Sequence, residues 1–273
     1  MVCSFRAMGE SVKSTLLLIL LLCLSCAKKS DDSVASPSNI DMDKMRWNLS
    51  EFPIQLKVSA NLDPTSQNIV SDVMDVWEAA ANINFFNATE TTPVLNFTRL
   101  SDYYYSDKYV NGVYLATNEV DELGADSLAV TQIFFTRSTD SSLNTYYHII
   151  HTDIVLNGFH YDFSTDIHDN ANYYLLTLVL HEMGHVLGLG HKSTGIMYPY
   201  MSIDDKQDSL SSYDIDLINS KYNPANSFMA GLQPENSSEV LGGEVEERIL
   251  LHLPASRVFS IRLIANSFQK KSH

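Results

Sequence analysis

Beyond position 26 the 273-residue chain has no cysteine; Cys3, Cys23 and Cys26 all lie near its start. A fold stapled by disulfides is therefore excluded for everything downstream. Basic residues are scarce, 18 Lys and Arg against 33 Asp and Glu, for a formal net charge of −15. A surface of that sign repels phosphates, which argues against a nucleic-acid partner. Charged residues make up only 19% of the chain and hydrophobic ones 45%, too apolar a balance for a disordered chain and enough for one sizeable core. There is no internal repeat at solenoid or propeller spacing. The apolar run Leu16 to Leu24 falls short of the roughly 20 residues a membrane-spanning helix needs.

That run does suit another purpose. It follows Arg6 and Lys13 and ends in Leu24-Ser25-Cys26, the layout of a signal peptide. A small residue before Cys resembles the lipobox of bacterial lipoproteins, with Cys23 standing where Leu or Val is commoner. The resemblance implies a signal peptide over 1–25, lipid on Cys26 and an extracytoplasmic, membrane-anchored protein; ordinary secretion without lipid is the alternative. Residues 26–44, polar and poor in large apolar groups, read as a flexible tether. A folded domain is expected over 45–224, with order beginning near Trp47, and a C-terminal extension over 225–273 whose role the residues do not indicate.

Within the domain, Ile54, Leu56, Val58 and Ala60 alternate with polar residues, which predicts a half-buried strand over 52–60. Asp63-Pro64 then offers an N-cap and a proline at the first helical position. Apolar residues at helical spacing extend that helix to about 81. Val94–Leu100, Val130–Thr136 and Ile149–Leu156 are apolar and β-branched enough to be strands. The tyrosines of 103–109 read as an exposed loop or strand pair. A long apolar helix is expected over Asn172–Leu187, a second over Ser212–Tyr222, linker-like sequence over 225–243 and strand over Arg248–Ile264.

The chemistry lies in His181-Glu182-Met183-Gly184-His185-Val186-Leu187-Gly188-Leu189-Gly190-His191. His181 and His185 stand one helical turn apart and leave the same face. Two such nitrogens can share one Zn²⁺ at about 2.0–2.1 Å. Gly188 can end the helix in a left-handed turn and bring His191 back as a third ligand. Three ligands leave a position open for water, the pattern of a catalytic zinc. Glu182 beside that water can take its proton and pass it to a leaving amine, and zinc polarises the scissile carbonyl. A core helix with incidental histidines does not require a glycine and a third histidine at these offsets.

These residues resemble the metzincin signature H-E-x-x-H-x-x-G-x-x-H. Met197, in Gly195-Ile196-Met197-Tyr198-Pro199, fits the family's Met-turn as a floor beneath the metal. The Met-Tyr-Pro form is similar to the matrixin branch; astacin-like and serralysin-like enzymes place Tyr where Pro199 stands. The resemblance covers about 46–223 and implies an α+β fold: a twisted, mostly parallel sheet with two long helices and a small C-terminal subdomain. It implies a zinc endopeptidase acting on extracellular proteins or peptides. Asp153-Ile154-Val155-Leu156-Asn157 looks like the family's edge strand, which binds substrate backbone. Pro199, Tyr200 and Met201 would wall the pocket beyond the scissile bond, and Asp214 would support the Met-turn from below. The histidine that ligates a structural zinc in the family's edge strand falls on Val155, leaving that site in doubt. His148, His151, His160 and His168 form a second candidate metal group, and Asp162–Asp169 a candidate calcium loop without EF-hand spacing. Two other functions stay open: a catalytically silent peptide-binding lipoprotein, and a zinc aminopeptidase or amidohydrolase. Glu182 disfavours the silent binder, which needs no general base; product mapping separates the others.

Overall fold

In a computed structural model, the residues described are 40–87, 90–106, 110–139, 144–223 and 247–255. The signal peptide, Cys26, most of the tether and the linker-like segment lie outside them. In chain order the elements are β1 (Met45–Arg46), β2 (Leu56–Ser59), α1 (Pro64–Ala81), β3 (Glu90–Thr92), α2 (Leu100–Ser106), β4 (Asn111–Leu115), β5 (Ser127–Thr139), β6 (Thr145–Leu156), β7 (Phe163–Ser164), β8 (Tyr173–Tyr174), α3 (Leu175–Val186), α4 (Ser212–Tyr222) and β9 (Glu247–Pro254).

The main sheet runs β3-β2-β4-β6-β5-β9, with β1 paired to the far part of β6. β1, β2, β3, β4 and β6 are mutually parallel, whereas β5 is antiparallel to both β6 and β9. β7 and β8 form a separate two-stranded pair. This is the expected α+β arrangement, a mostly parallel sheet packed by two long helices. Among the described residues no helix is long and apolar enough to cross a membrane.

α1 has the predicted bounds because both ends carry their signals. Asp63 accepts from the Thr65 and Ser66 N–H groups, Pro64 fills the first turn, and Asn82 closes the helix in the left-handed region. Its apolar face buries Ile69, Val73 and Trp77 in the core, packed against α3 and α4, and the Trp77 indole donates to Leu180 O at 3.1 Å. α4 also has its predicted bounds, opened by a reciprocal Ser211–Asp214 capping box.

Five expectations need correction. Val94–Leu100 is not a strand. Pro93 has no N–H for a ladder, and Leu95 and Phe97 pack on one side against the small core of Leu100, Tyr103 and Tyr114. The tyrosine stretch is not an exposed loop: α2 buries Tyr103 and Tyr104, the latter stacked 3.8 Å from Phe134. α3 begins at Leu175, three residues late, because Tyr173–Tyr174 pair with β7 instead. Packing starts before residue 45, since Ile40 is already buried in the core. Most important, Asp153–Asn157 is not at a sheet edge. It ends β6, which has β4 on one side and β5 on the other. The edge that resemblance assigned to it belongs to β5, and β9 lies along that edge.

Candidate active site

α3 carries the chemistry on an apolar helix buried along its whole length except at Leu176. Its end is fixed by local rules. Gly188 takes φ +79°, its N–H bonds His185 O at 2.8 Å, and the Leu189 N–H bonds Gly184 O at 2.9 Å. That pair is a Schellman closure, which needs a residue tolerant of left-handed backbone. A side chain at Gly188 would also run into Met45 O. The remaining carbonyls of the last turn are covered: Trp47 Nε1 donates to Val186 O at 2.8 Å and the Tyr222 hydroxyl to Leu187 O at 2.9 Å.

The reversal at Gly188 returns His191 to the helix face. One ring nitrogen from each of His181, His185 and His191 lies within 4.8 Å of the other two, and no other group of three or more candidate ligands occurs among the described residues. His181 Nδ1 is 2.7 Å from Ile196 O and His185 Nδ1 is 2.7 Å from Leu189 O. Each carbonyl holds a proton on Nδ1 and leaves the Nε2 lone pair for the common centre. His181 Nε2 is buried with no hydrogen-bond partner in the structure. Burial pushes the His181 imidazolium down to about 3 and holds that of His185 well below its ordinary range. Burial also lowers His191, with His252 adding to the effect. Neutral imidazoles are what a metal needs, so the residues present fit zinc.

Glu182 is fully buried, and desolvation raises its carboxyl to about 8. Thr131 of β5 opposes this by donating Oγ1–H to Glu182 Oε2 at 2.5 Å, while Oε1 is buried with no partner. Sequence reasoning missed Thr131. Its signal was weak: a threonine in an apolar strand, identifiable only once the strand is known to lie over the helix.

Met197 is fully buried and packs under the helix, where any side chain at Gly184 would strike its Sδ. The Met-turn is set by Gly195 at φ +76° and by Asp214, whose Oδ1 accepts from Ile196 N at 3.0 Å. Asp214 thus supports the turn from below, as the resemblance implied. Tyr200 and Met201 line a cavity of about 240 Å³ with His181, Thr194 and Tyr198. Pro199 does not line it, and Leu253 of β9 does.

The other expected sites do not assemble. Asp153 is buried in a hydrogen-bond network with Gln132, His151 and the Gly112 N–H. Ile154 and Val155 are core residues, so none of the three meets a substrate. His148 pairs with Glu51 and His160 with Asn157. In the 162–169 loop, Asp166 and Asp169 are turned onto the His168 and Ala171 N–H groups.

The matrixin family model matches residues 44–223. The chain belongs to the matrixin family. It is therefore a member of a metzincin family of zinc metallopeptidases, and the histidine triad is where that family's catalytic zinc fits. The matrixin is also similar to a metalloendoproteinase of Arabidopsis thaliana, 5-MMP, with 38% identity over 78 residues. That match spans 27% of this chain and 21% of the relative, so the matrixin covers about a fifth of the length of this curated relative.

Proposed function

We propose that this matrixin is an endopeptidase that cuts extended peptides internally, with Glu182 as general base and then general acid. The carrying observation is Glu182 itself: buried beside the triad, oriented through Oε2 by Thr131, with Oε1 left unpartnered. A protein that only bound peptides would gain nothing from a desolvated carboxylate there.

When bound, zinc supplies a Lewis acid that polarises the scissile carbonyl and lowers the pKa of water. His181, His185 and His191 would hold it. Glu182 takes a proton from the attacking water on Oε1 and delivers it to the departing amine nitrogen. Thr131 keeps the carboxylate from turning away. The cavity beside His181, floored by Ile196 and walled by Tyr198, Tyr200 and Met201, receives one apolar side chain and so positions the bond. A peptide laid antiparallel along β5, in the position β9 holds, would gain main-chain hydrogen bonds at every second residue, which suits internal rather than terminal cleavage.

We further propose that it acts outside the cytoplasm on proteins or peptides, tethered to a membrane by lipid on Cys26. The support is the charged start, the short apolar run and Leu24-Ser25-Cys26. Metabolic labelling with a fatty acid tests this: label lost in Cys26→Ala supports it, and an unlabelled wild type ends it.

The activity test is cleavage of a peptide library by the zinc-loaded chain, beside Glu182→Gln and a chelated sample. Internal cuts are expected from the wild type alone, with the Glu182→Gln rate down by about 10²–10⁴-fold and its zinc retained. Trimming confined to peptide ends, or no cuts with one zinc bound, overturns the endopeptidase reading.

A further inference from the structure

β9 lies outside the span that matches the family, which ends at residue 223. It is nevertheless seated on the site. Along β5 it pairs antiparallel over Ser127–Phe135, with Thr131 opposite Leu251, Val130 opposite His252 and Ala129 opposite Leu253. On its other side Met201, from the cavity wall, bridges to Ala255 in the parallel sense, and the Met201 N–H donates to Pro254 O. The segment therefore runs between the upper strand and the lower wall, bonded to both. Leu253 forms part of the wall of the cavity beside His181, and Leu251 is opposite the residue that holds Glu182.

An extended peptide bound by β-augmentation would make these same contacts: a ladder to the edge strand, and one side chain at the adjacent pocket. Ile249, Leu251 and Leu253 are buried against the main core, but the seat has weak points. Arg248 is buried with Nη2 3.8 Å from Glu122 but Nε and Nη1 unpartnered, which leaves two desolvated donors at a cost in stability. The ladder slips between Ser127 and Ala129. The outer end is held by an ion pair, Arg137–Glu247, whose Arg137 side chain is mostly exposed, and such pairs are weak and salt-screened.

We propose that Glu247–Ala255 is an internal ligand of the peptide-binding edge: it holds the strand position that a substrate uses and walls the side-chain cavity beside it, and substrate must displace it. The inference rests on the peptidase reading for what the edge is for, but the seat and its occupant are separate matters of binding. It also gives the chemistry of an external ligand, an extended peptide with leucine at the cavity and a second apolar side chain two residues earlier.

The test uses the full chain carrying Leu251→Asp and Leu253→Asp, which place charge at the cavity wall and under β5. Hydrogen exchange at the β5 amides facing β9 is expected to quicken at least about tenfold, while exchange in α1 and α3 and zinc binding are unchanged. A labelled synthetic peptide of residues 246–256 is expected to bind the variant saturably, to slow the β5 amides again, and to bind wild type far more weakly. Unaltered β5 exchange, or no peptide binding, overturns the proposal. So does loss of α1 and α3 protection, which would make β9 an integral strand. A second form guards against a folding defect in the variant: the full chain with a specific protease site replacing residues 232–238, cut after folding. Excess labelled peptide is expected to exchange with the cut segment; a segment that never exchanges overturns the proposal. If exchange and binding occur but no form cuts any peptide, the internal ligand stands and the peptidase reading falls.

Discussion

Glu182 shows how one residue's position depends on others far away in sequence. Its carboxyl has no exposure to solvent, and the Thr131 hydroxyl, 51 residues earlier, is its hydrogen-bond partner. Thr131→Val keeps the shape and removes the bond, leaving the carboxylate free to rotate. Because Thr131 positions the base without touching zinc, kcat should fall about tenfold with KM and zinc content unchanged, given that misplacing a catalytic group by a fraction of an ångström costs rate. Steady-state kinetics beside a zinc assay checks this; an equal rise in KM would mean that Thr131 acts on peptide binding instead. Gly184, between the two helical histidines, is bare because Met197 Sδ and Trp77 fill the space its side chain would need. Gly184→Ala overpacks that floor and should destabilise the protein by about 1–3 kcal/mol, seen as a lower melting midpoint of the zinc-free chain. An unchanged midpoint would show that Met197 can move aside.

At the scale of elements, legibility followed how local the determining chemistry is. α1 could be bounded from sequence because its cap, Asp63 with Pro64, adjoins the helix it starts, and α4 opens on a signal just as local, the Ser211–Asp214 box. The H-E-x-x-H turn, Gly188 and His191 were readable for the same reason, since ligand spacing and a Schellman closure are short-range. The sheet was not. Residues 153–157 and 127–135 each mix a majority of apolar residues with a few polar ones, and nothing in either sequence says which has a neighbour on one side and which on two. Likewise Val94–Leu100 has strand-like residues but no partner strand, a tertiary fact. Asp214 links the legible and the hidden, capping α4 through Ser211 while its Oδ1 holds the Ile196 N–H. Asp214→Ala should remove the N3 half of the capping box and strand a buried donor, costing about 2–4 kcal/mol in total. Urea unfolding measures the loss, and metal affinity should fall with it, because His181 Nδ1 relies on Ile196 O. If stability drops but affinity holds, the Met-turn does not need its support.

Across the whole molecule, the first described turn and the last helix of the matched domain are joined by a buried cation. Lys221 Nζ donates to Met45 O at 2.6 Å, Met42 O at 3.0 Å and Asp43 O at 3.4 Å. Met45 O is also the atom a side chain at Gly188 would strike, so this tie reaches the turn that delivers His191. Burial pushes Lys221 down to about 7 from an ordinary 10.5, only partly offset by Asp43. The folded chain then binds this proton less tightly than the unfolded chain. The penalty is complete below pH 7 and is relieved as pH rises from about 7 toward 10.5, with a slope of up to about 1.4 kcal/mol per pH unit. Glu182, raised to about 8, costs stability with rising pH over part of the same range, so the Lys221 effect is read as a difference: the urea stability of wild type relative to Lys221→Met should climb from pH 7 to 8 to 9. A flat difference would mean that three carbonyl acceptors keep the ammonium charged despite its burial. Lys221→Met would then be destabilising at every pH, because it strands those acceptors without relieving any desolvation cost that varies with pH.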